Sequence, residues 1–221
     1  MYDLNKSEIM ELFHFDTAAR VISEAYVASS IGHVQTGDVV HLRFPESNGD
    51  CHIKSGHIRH TDTYVVKIAS GFYDNPSNGL PSSNGMMLAF SATTGEPSAI
   101  LRDEGWLTDM RTGIGGAIAT KALASRNAER VLIIGSGIQA RFQATCLASL
   151  MPEKSFNFFI WGRNENAAAT LVEELRGHNL NVDLALDLKQ QVSLSDIIIT
   201  TTPATSALFG DNLVRPGTHV T

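Results

Sequence analysis

The stretch VLIIGSGIQA, residues 131–140, decides the fold. Four apolar residues run into Gly135-Ser136-Gly137, and Ala140 stands three places further on. In a strand-turn-helix unit that holds a dinucleotide, the first glycine permits the tight turn and the second lets the backbone approach a pyrophosphate. The third small residue lets helix and strand pack closely, and the phosphates rest on the N-terminal dipole of the helix. Gly135, Gly137 and Ala140 fill these three places. The pattern alone is common, so its weight comes from what surrounds it.

After the loop comes a Gln-Ala-rich helix over 139–150, then an apolar strand FNFFIW (156–161), a helix over 164–177, a weak strand in NVDLAL and the buried-strand run DIIITTT (196–202). Before it lies TGIGGAIATKALASRNAE, a helix of small residues starting at Thr112. Strands alternating with helices at this spacing predict a doubly wound parallel sheet of the Rossmann type. The preceding half is different in style. A helix over 17–31, with Asp16 as its expected N-cap, is followed by VVHLRF (39–44), CHIKSGHI (51–58) and TYVVKIASGF (63–72), which read as strands of a half-buried sheet. Loop chemistry fills 73–85, and a hairpin turns at Thr94-Gly95. The expected fold is therefore α/β: a smaller α+β domain over 1–114 that binds substrate and dimerises, then a dinucleotide-binding domain over 115–221.

Composition narrows the function. With 43% hydrophobic and 18% charged residues, the chain has the make-up of a soluble globular protein. A net charge of −6 and the absence of any Lys/Arg run argue against nucleic acid. No segment has the length of a membrane span, and the N-terminus lacks the features of a signal peptide, so a cytoplasmic location is expected. Cys51 and Cys146 read as reduced thiols. Six of the eight histidines lie in the first sixty residues, His52, His57 and His60 near Cys51. Their spacing matches no zinc pattern, and an alternating strand would split them between faces, so no metal is expected.

The end of the second strand selects the cofactor. A carboxylate there would bond the ribose hydroxyls of NAD, but this chain has Trp161-Gly162-Arg163-Asn164. A guanidinium beside a strand end that lacks an acid suits a 2′-phosphate, so NADP(H) is the expected cofactor. NAD(H) is the alternative, with Arg163 solvated and Glu165 supplying the acid. Thr202, in the TTTP run that ends the last long strand, is a further candidate contact at the carboxyl edge of the sheet; the alternative is that these hydroxyls only cap the strand.

Three blocks in order, VKIASGFYDNPSNGLPSSNG, EGWLTDMRTGIGGAIATKALA and VLIIGSGIQA, followed by IWGRN and IIITTTPAT, make the chain resemble the ornithine cyclodeaminase and mu-crystallin family over nearly its whole length. The resemblance implies a two-domain, homodimeric NAD(P)-dependent protein acting on a small amino or imino acid, by cyclodeamination of ornithine, dehydrogenation of alanine or reduction of a ketimine. It also implies that Arg43, Lys67 and Arg111 hold the substrate carboxylate against the nicotinamide, with Arg111 also meeting the cofactor and Lys67 the catalytic residue, able to bond the reacting nitrogen or a water. A carboxylate next to a carbon that exchanges hydride must be clamped, which suits cationic side chains. Ser82 matches a hydroxyl residue that seats the nicotinamide end, and Ile138 and Gln139 match a pair that meets the dinucleotide. The IWGRN block resembles the branch of the family that takes NADPH.

Family chains run about a third longer and carry, after a strand like Gly217-Thr218-His219-Val220, an aspartate that transfers a proton near the substrate amine. The expectation is that this sequence is part of such a chain. The alternative is a catalytically impaired dinucleotide-binding protein of the mu-crystallin type. Asp109, beside Arg111, is the one nearby candidate for a substitute acid, and a helix-entry role suits it better.

Overall fold

The computed structural model describes all of residues 1–221, which divide into two compact units, Met1–Thr108 and Asp109–Thr221. The division falls inside the helix Trp106–Leu123, six residues before the expected boundary after residue 114.

The first unit begins with β1 (Tyr2–Asn5) and α1 (Lys6–Leu12), neither of which was anticipated. They are joined by a capping box. The Asn5 side chain accepts from the Glu8 N–H at 3.1 Å, and the Glu8 carboxylate accepts from the Asn5 N–H at 2.8 Å. Helix α2 (Phe15–Ser30) follows. His14, not Asp16, occupies its N-cap position; Asp16 lies in the first turn, where its charge favours the helix dipole.

Then come β2 (Val34–Thr36), β3 (Val40–Phe44), β4 (Gly49–Ile58), β5 (Thr63–Phe72), β6 (Ser83–Ser91) and β7 (Pro97–Arg102). They form one sheet in the order β1-β7-β6-β5-β4-β2, with β3 also paired to β4. β1 is parallel to β7 and the remaining pairs are antiparallel. Residues opposite one another in the ladder share a face. Val40, Ile53, Ile68 and Met86 therefore form one apolar row across four strands. The other face carries Lys67 beside Lys54, Arg43 beside Asp50, and His41 beside His52.

The second unit contains most of α3 (Trp106–Leu123) and then β8 (Arg130–Ile134), α4 (Ile138–Leu150), β9 (Asn157–Trp161), α5 (Glu165–Gly177), β10 (Val182–Leu184), α6 (Leu188–Leu194), β11 (Ile197–Thr200) and β12 (His219–Val220). Its sheet is wholly parallel in the order β10-β9-β8-β11-β12. Val131 to Ile134 and Ile197 to Ile199 are buried, as continuous apolar strands covered on both faces should be. Small residues bring α3 and α4 together. A Cβ on Gly113 would lie 2.7 Å from the Phe142 carbonyl oxygen, so only glycine permits that approach. No helix in the chain is long and apolar enough to cross a membrane.

Candidate functional site

The strand order reverses at β8 and β11, and in open α/β sheets that switch point, at the carboxyl ends of the strands, is where ligands bind. A cleft of about 260 Å³ opens there, lined among others by Gly135, Gly137, Trp161, Arg163, Asn164 and Thr202. These are six of the eight residues nominated in or beside the glycine loop, at the end of the second strand and in the TTTP run. A larger groove of about 560 Å³ lies at the amino ends of the strands, lined by residues such as Ser149, Phe156 and His178. Its size does not outweigh its position at the wrong end of a parallel sheet.

Three backbone bonds draw the loops together at the cleft. The Gly135 N–H donates to the Trp161 carbonyl at 2.7 Å, and the Thr201 N–H donates to the Ile134 carbonyl at 2.8 Å. The Ala140 N–H closes onto the Gly137 carbonyl at 3.1 Å. Gly135 has φ +133°, and a Cβ there would lie 2.8 Å from the Thr201 carbonyl oxygen. No side chain is tolerated in that conformation and space. At Gly137 a Cβ would meet nothing within 4 Å, so the loop faces open space where a phosphate group fits.

Gly137 is also the N-cap of α4 and has no side chain to bond the first N–H groups of the helix. The N–H groups of Ile138 and Gln139, ahead of the Ala140 bond, have no backbone partner, the arrangement that favours an anion. The open approach at Gly137 and the uncapped helix end together fit a dinucleotide pyrophosphate.

Arg163 is exposed at the end of β9 and takes part in none of the chain's ion pairs. No carboxylate stands at the strand end; Glu165 is already in the first turn of α5. Asn164 caps that helix, its side chain accepting from the Ala167 N–H at 3.1 Å, so its amide is partly committed. The Thr202 hydroxyl likewise accepts locally, from the Ala204 N–H at 2.9 Å, while the residue lines the cleft. Ser136 and Gly162 also line the cleft and were not nominated. Ser136 was legible as the middle residue of the Gly-X-Gly turn.

Ile138 and Gln139 lie beside this lining rather than in it. The Gln139 amide donates to the Asp109 carboxylate at 2.8 Å, tying the first turn of α4 to the first turn of α3. Asp109 is buried, so the bond replaces lost water. That contact gives Asp109 a structural partner in the first turn of α3, in keeping with the helix-entry role preferred for it.

Arg111 was expected just before a helix, but α3 begins five residues earlier, at Trp106. The start is set by Asp103, whose carboxylate accepts from the Leu107 N–H at 2.8 Å. Glu104 and Gly105, both with positive φ, turn the chain between them. Arg111 therefore projects, exposed, from the second turn of a fixed helix.

In the first unit, Lys67 is half-buried on β5, and Arg43 is exposed on β3. The ladder puts both on one face but not side by side. Arg43 faces Asp50, which faces Gly71, four residues along β5 from Lys67. The two Cα positions are thus roughly 15 Å apart by strand geometry. Ser82 is half-buried just before β6, and its carbonyl accepts from the Phe72 N–H at 2.8 Å.

β4 puts His52 and His57 on opposite faces, as the alternation predicts, and the neighbour of His52 comes from the adjacent strand. His52 pairs with His41, not with His57 or His60. The His57 ring meets the Thr61 carbonyl at 3.0 Å, and His60 sits in a turn with φ +69°.

Comparison with known proteins agrees with this architecture. The sequence profile of the ornithine cyclodeaminase/mu-crystallin family matches residues 3–221. An uncharacterized cyclodeaminase of Sinorhizobium fredii is 35% identical over 221 residues, covering 99% of this chain and 66% of the relative. The alanine dehydrogenase of Archaeoglobus fulgidus is 30% identical over 220 residues, covering 98% and 65%. The chain spans about two thirds of the length of these curated relatives.

Among solved structures, Thermococcus litoralis Δ1-pyrroline-2-carboxylate reductase, in complex with NADH and L-proline, superposes with a TM-score of 0.90 at 25% identity, over 100% of this chain and 68% of that one. An archaeal alanine dehydrogenase dimer with bound NAD gives 0.87 at 26% identity, over 100% and 66%. With its Rossmann-type unit and its glycine loop at the switch point, the chain belongs to the ornithine cyclodeaminase/mu-crystallin family.

Proposed function

We propose that this chain is the body of an NAD(P)-dependent enzyme of amino-acid metabolism, an oxidoreductase or cyclodeaminase that acts on a small amino or imino acid, with NADP(H) preferred over NAD(H). The observation that carries the reading is the cleft at the carboxyl edge of the parallel sheet, built around Gly135 and Gly137 and ending in Arg163. The relatives support it: they include a pyrroline-2-carboxylate reductase solved with NADH and L-proline, and an alanine dehydrogenase solved with NAD.

When bound, the nicotinamide supplies or accepts the hydride exchanged at the substrate α-carbon. The residues of the chain do the rest. Gly137 and the free N–H groups of α4 receive the pyrophosphate. Arg163 pairs with a 2′-phosphate, and Trp161, Asn164 and Thr202 wall the nucleotide. Ile138 and Gln139 fix the helix end that follows the loop, and Ser82 seats the nicotinamide end. Arg43, Lys67 and Arg111 bind the substrate carboxylate, and Lys67 also orients the reacting nitrogen or a water. No metal enters this reading, and neither nucleic acid nor a membrane is a partner.

The protein acts as a homodimer in this reading. Val40, Leu42, Phe44 and Met86 are exposed apolar residues on one face of the first unit's sheet, a surface that a second copy would cover. Both cysteines are free thiols, which supports a cytoplasmic location.

The test is a set of initial rates with NADPH and NADH against cyclic imino acids, and with ornithine and alanine in the reverse sense. Turnover of one of these, faster with the phosphorylated cofactor, is the expected result. Tight NADPH binding with no turnover of any of them would make the chain a dinucleotide-binding protein instead.

A further inference from the structure

We infer that His41, Asp50 and His52 form a binding site for a divalent cation of the zinc class on the polar face of the first unit's sheet. The register brings His41 opposite His52, and Asp50 is two residues from His52, so all three side chains rise from one face. One ligand atom from each lies within 4.8 Å of the others. The Asp50 carboxylate is 3.9 Å from His41 Nε2 and 3.8 Å from His52 Nε2. Two ligands about 2.0 Å from a tetrahedral zinc stand roughly 3.4 Å apart. The carboxylate must therefore approach each imidazole by about half an ångström, and the widest pair of the set, now within 4.8 Å, must close by up to about 1.4 Å through side-chain rotation.

The surroundings favour a cation there. Asp50 faces Arg43 across the ladder, yet the chain's ion pairs do not join them; its carboxylate turns to the two imidazoles. The imidazole rings stack at 4.2 Å with an interplanar angle of 11°, so holding one ion between them requires a ring to turn out of the stack. The Tyr73 hydroxyl donates to the same carboxylate at 3.4 Å, an outer contact of the kind that orients a metal ligand. Gly71 makes room for it, since a Cβ there would lie 3.1 Å from the Tyr73 oxygen.

Ligand chemistry selects the ion. Two imidazoles and a single carboxylate, on a face that also carries Lys54 and Arg43, supply too few oxygens and too little negative charge for calcium or magnesium. They suit Zn²⁺, Co²⁺, Ni²⁺ or Cu²⁺, with coordination positions left open to water.

The test is titration of the purified chain with ZnCl₂ by calorimetry, repeated with CoCl₂ to read the visible absorption of nitrogen-bound cobalt. One zinc per chain is expected. In the His41→Ala/His52→Ala double variant the affinity falls by at least about tenfold and the cobalt band is lost, and in Tyr73→Phe the affinity falls by up to about tenfold. The fold of the double variant is checked by an NADPH titration and a thermal melt without metal, both unchanged. Failure of the parent chain to bind stoichiometric zinc, or equal binding by the folded double variant, would overturn the site and leave the imidazoles as a cross-strand packing pair.

Discussion

The second unit covers its sheet on both faces, with Leu132, Ile134, Phe158, Ile160 and Ile198 almost entirely out of water. The first keeps Val40, Leu42, Phe44 and Met86 exposed and has only Ile9 and Ala19 as buried hydrophobic side chains, neither of them fully buried. A parallel sheet wrapped by helices completes its core within one chain. An antiparallel sheet covered on too little of its surface leaves apolar area that another surface must bury. The proposed roles follow this difference: in that reading the second unit holds the cofactor on a rigid edge, and the first offers one face to a partner and the other to polar ligands.

The largest expected effect is at the loop. Gly135→Ala sets a Cβ against the Thr201 carbonyl in a conformation hostile to side chains, and should destabilise the second unit by about 3 kcal/mol. Denaturant melts read on Trp161, in a Trp106→Phe background, check this, and NADPH binding should vanish with it. If the melt and the binding are both unchanged, the rigid-edge half of the comparison fails.

Lys67→Ala changes a residue of the first unit. Turnover should fall by about 100-fold or more, while NADPH affinity stays within about twofold. Equal losses in both would mean that the division of labour is wrong.

Leu42→Lys places a charge in the exposed apolar face, and the mass in solution, read by light scattering, should drop from dimer to monomer. A dimer that survives would move the interface elsewhere.

Smaller effects separate the units by titration. Burial pushes the Cys146 thiol up to about 12, so a thiol reagent at mildly alkaline pH should label Cys51 at once and Cys146 only when the second unit opens. Asp196 ties the starts of β8 and β11 together. Its partial burial works against ionisation, but the N–H groups of Glu129 and Arg130 and the Arg215 guanidinium outweigh that and hold its pKa below the ordinary carboxylate range. A lowered folded pKa contributes stability above the unfolded value and loses it as pH falls through the folded one. The second unit should therefore weaken below about pH 4, and an Asp196→Asn variant should weaken less over the same range.

The two units also differed in how much of them was legible in the sequence. β8 and β11 are buried on both faces and β9 buries Phe158 and Ile160 with Phe159 and Trp161 half-buried opposite, so all three read as apolar runs and the parallel sheet and its glycine turn were plain. β1 and α1 were not, because YDLN has no apolar period; the Asn5/Glu8 capping box was the available signal. The start of α3 was hidden because Asp103 caps it across a turn of two positive-φ residues. The pairing of His41 with His52 is a matter of register, and no spacing along the chain announces it. Six of the candidate cofactor residues gathered at one cleft because each was chosen for its place at a strand end, which the parallel sheet brings to a common edge. Arg43 and Lys67 were chosen by resemblance, and the ladder gives them a common face without making them neighbours.

The most direct measurement is a fluorescence titration of the chain with NADPH and, separately, NADH, following Trp161 in the wall of the cleft. Saturable quenching by both, with NADPH bound at least about tenfold more tightly and the margin lost in Arg163→Ala, is the predicted result. No saturable response to either dinucleotide, or a preference for NADH, would contradict the account.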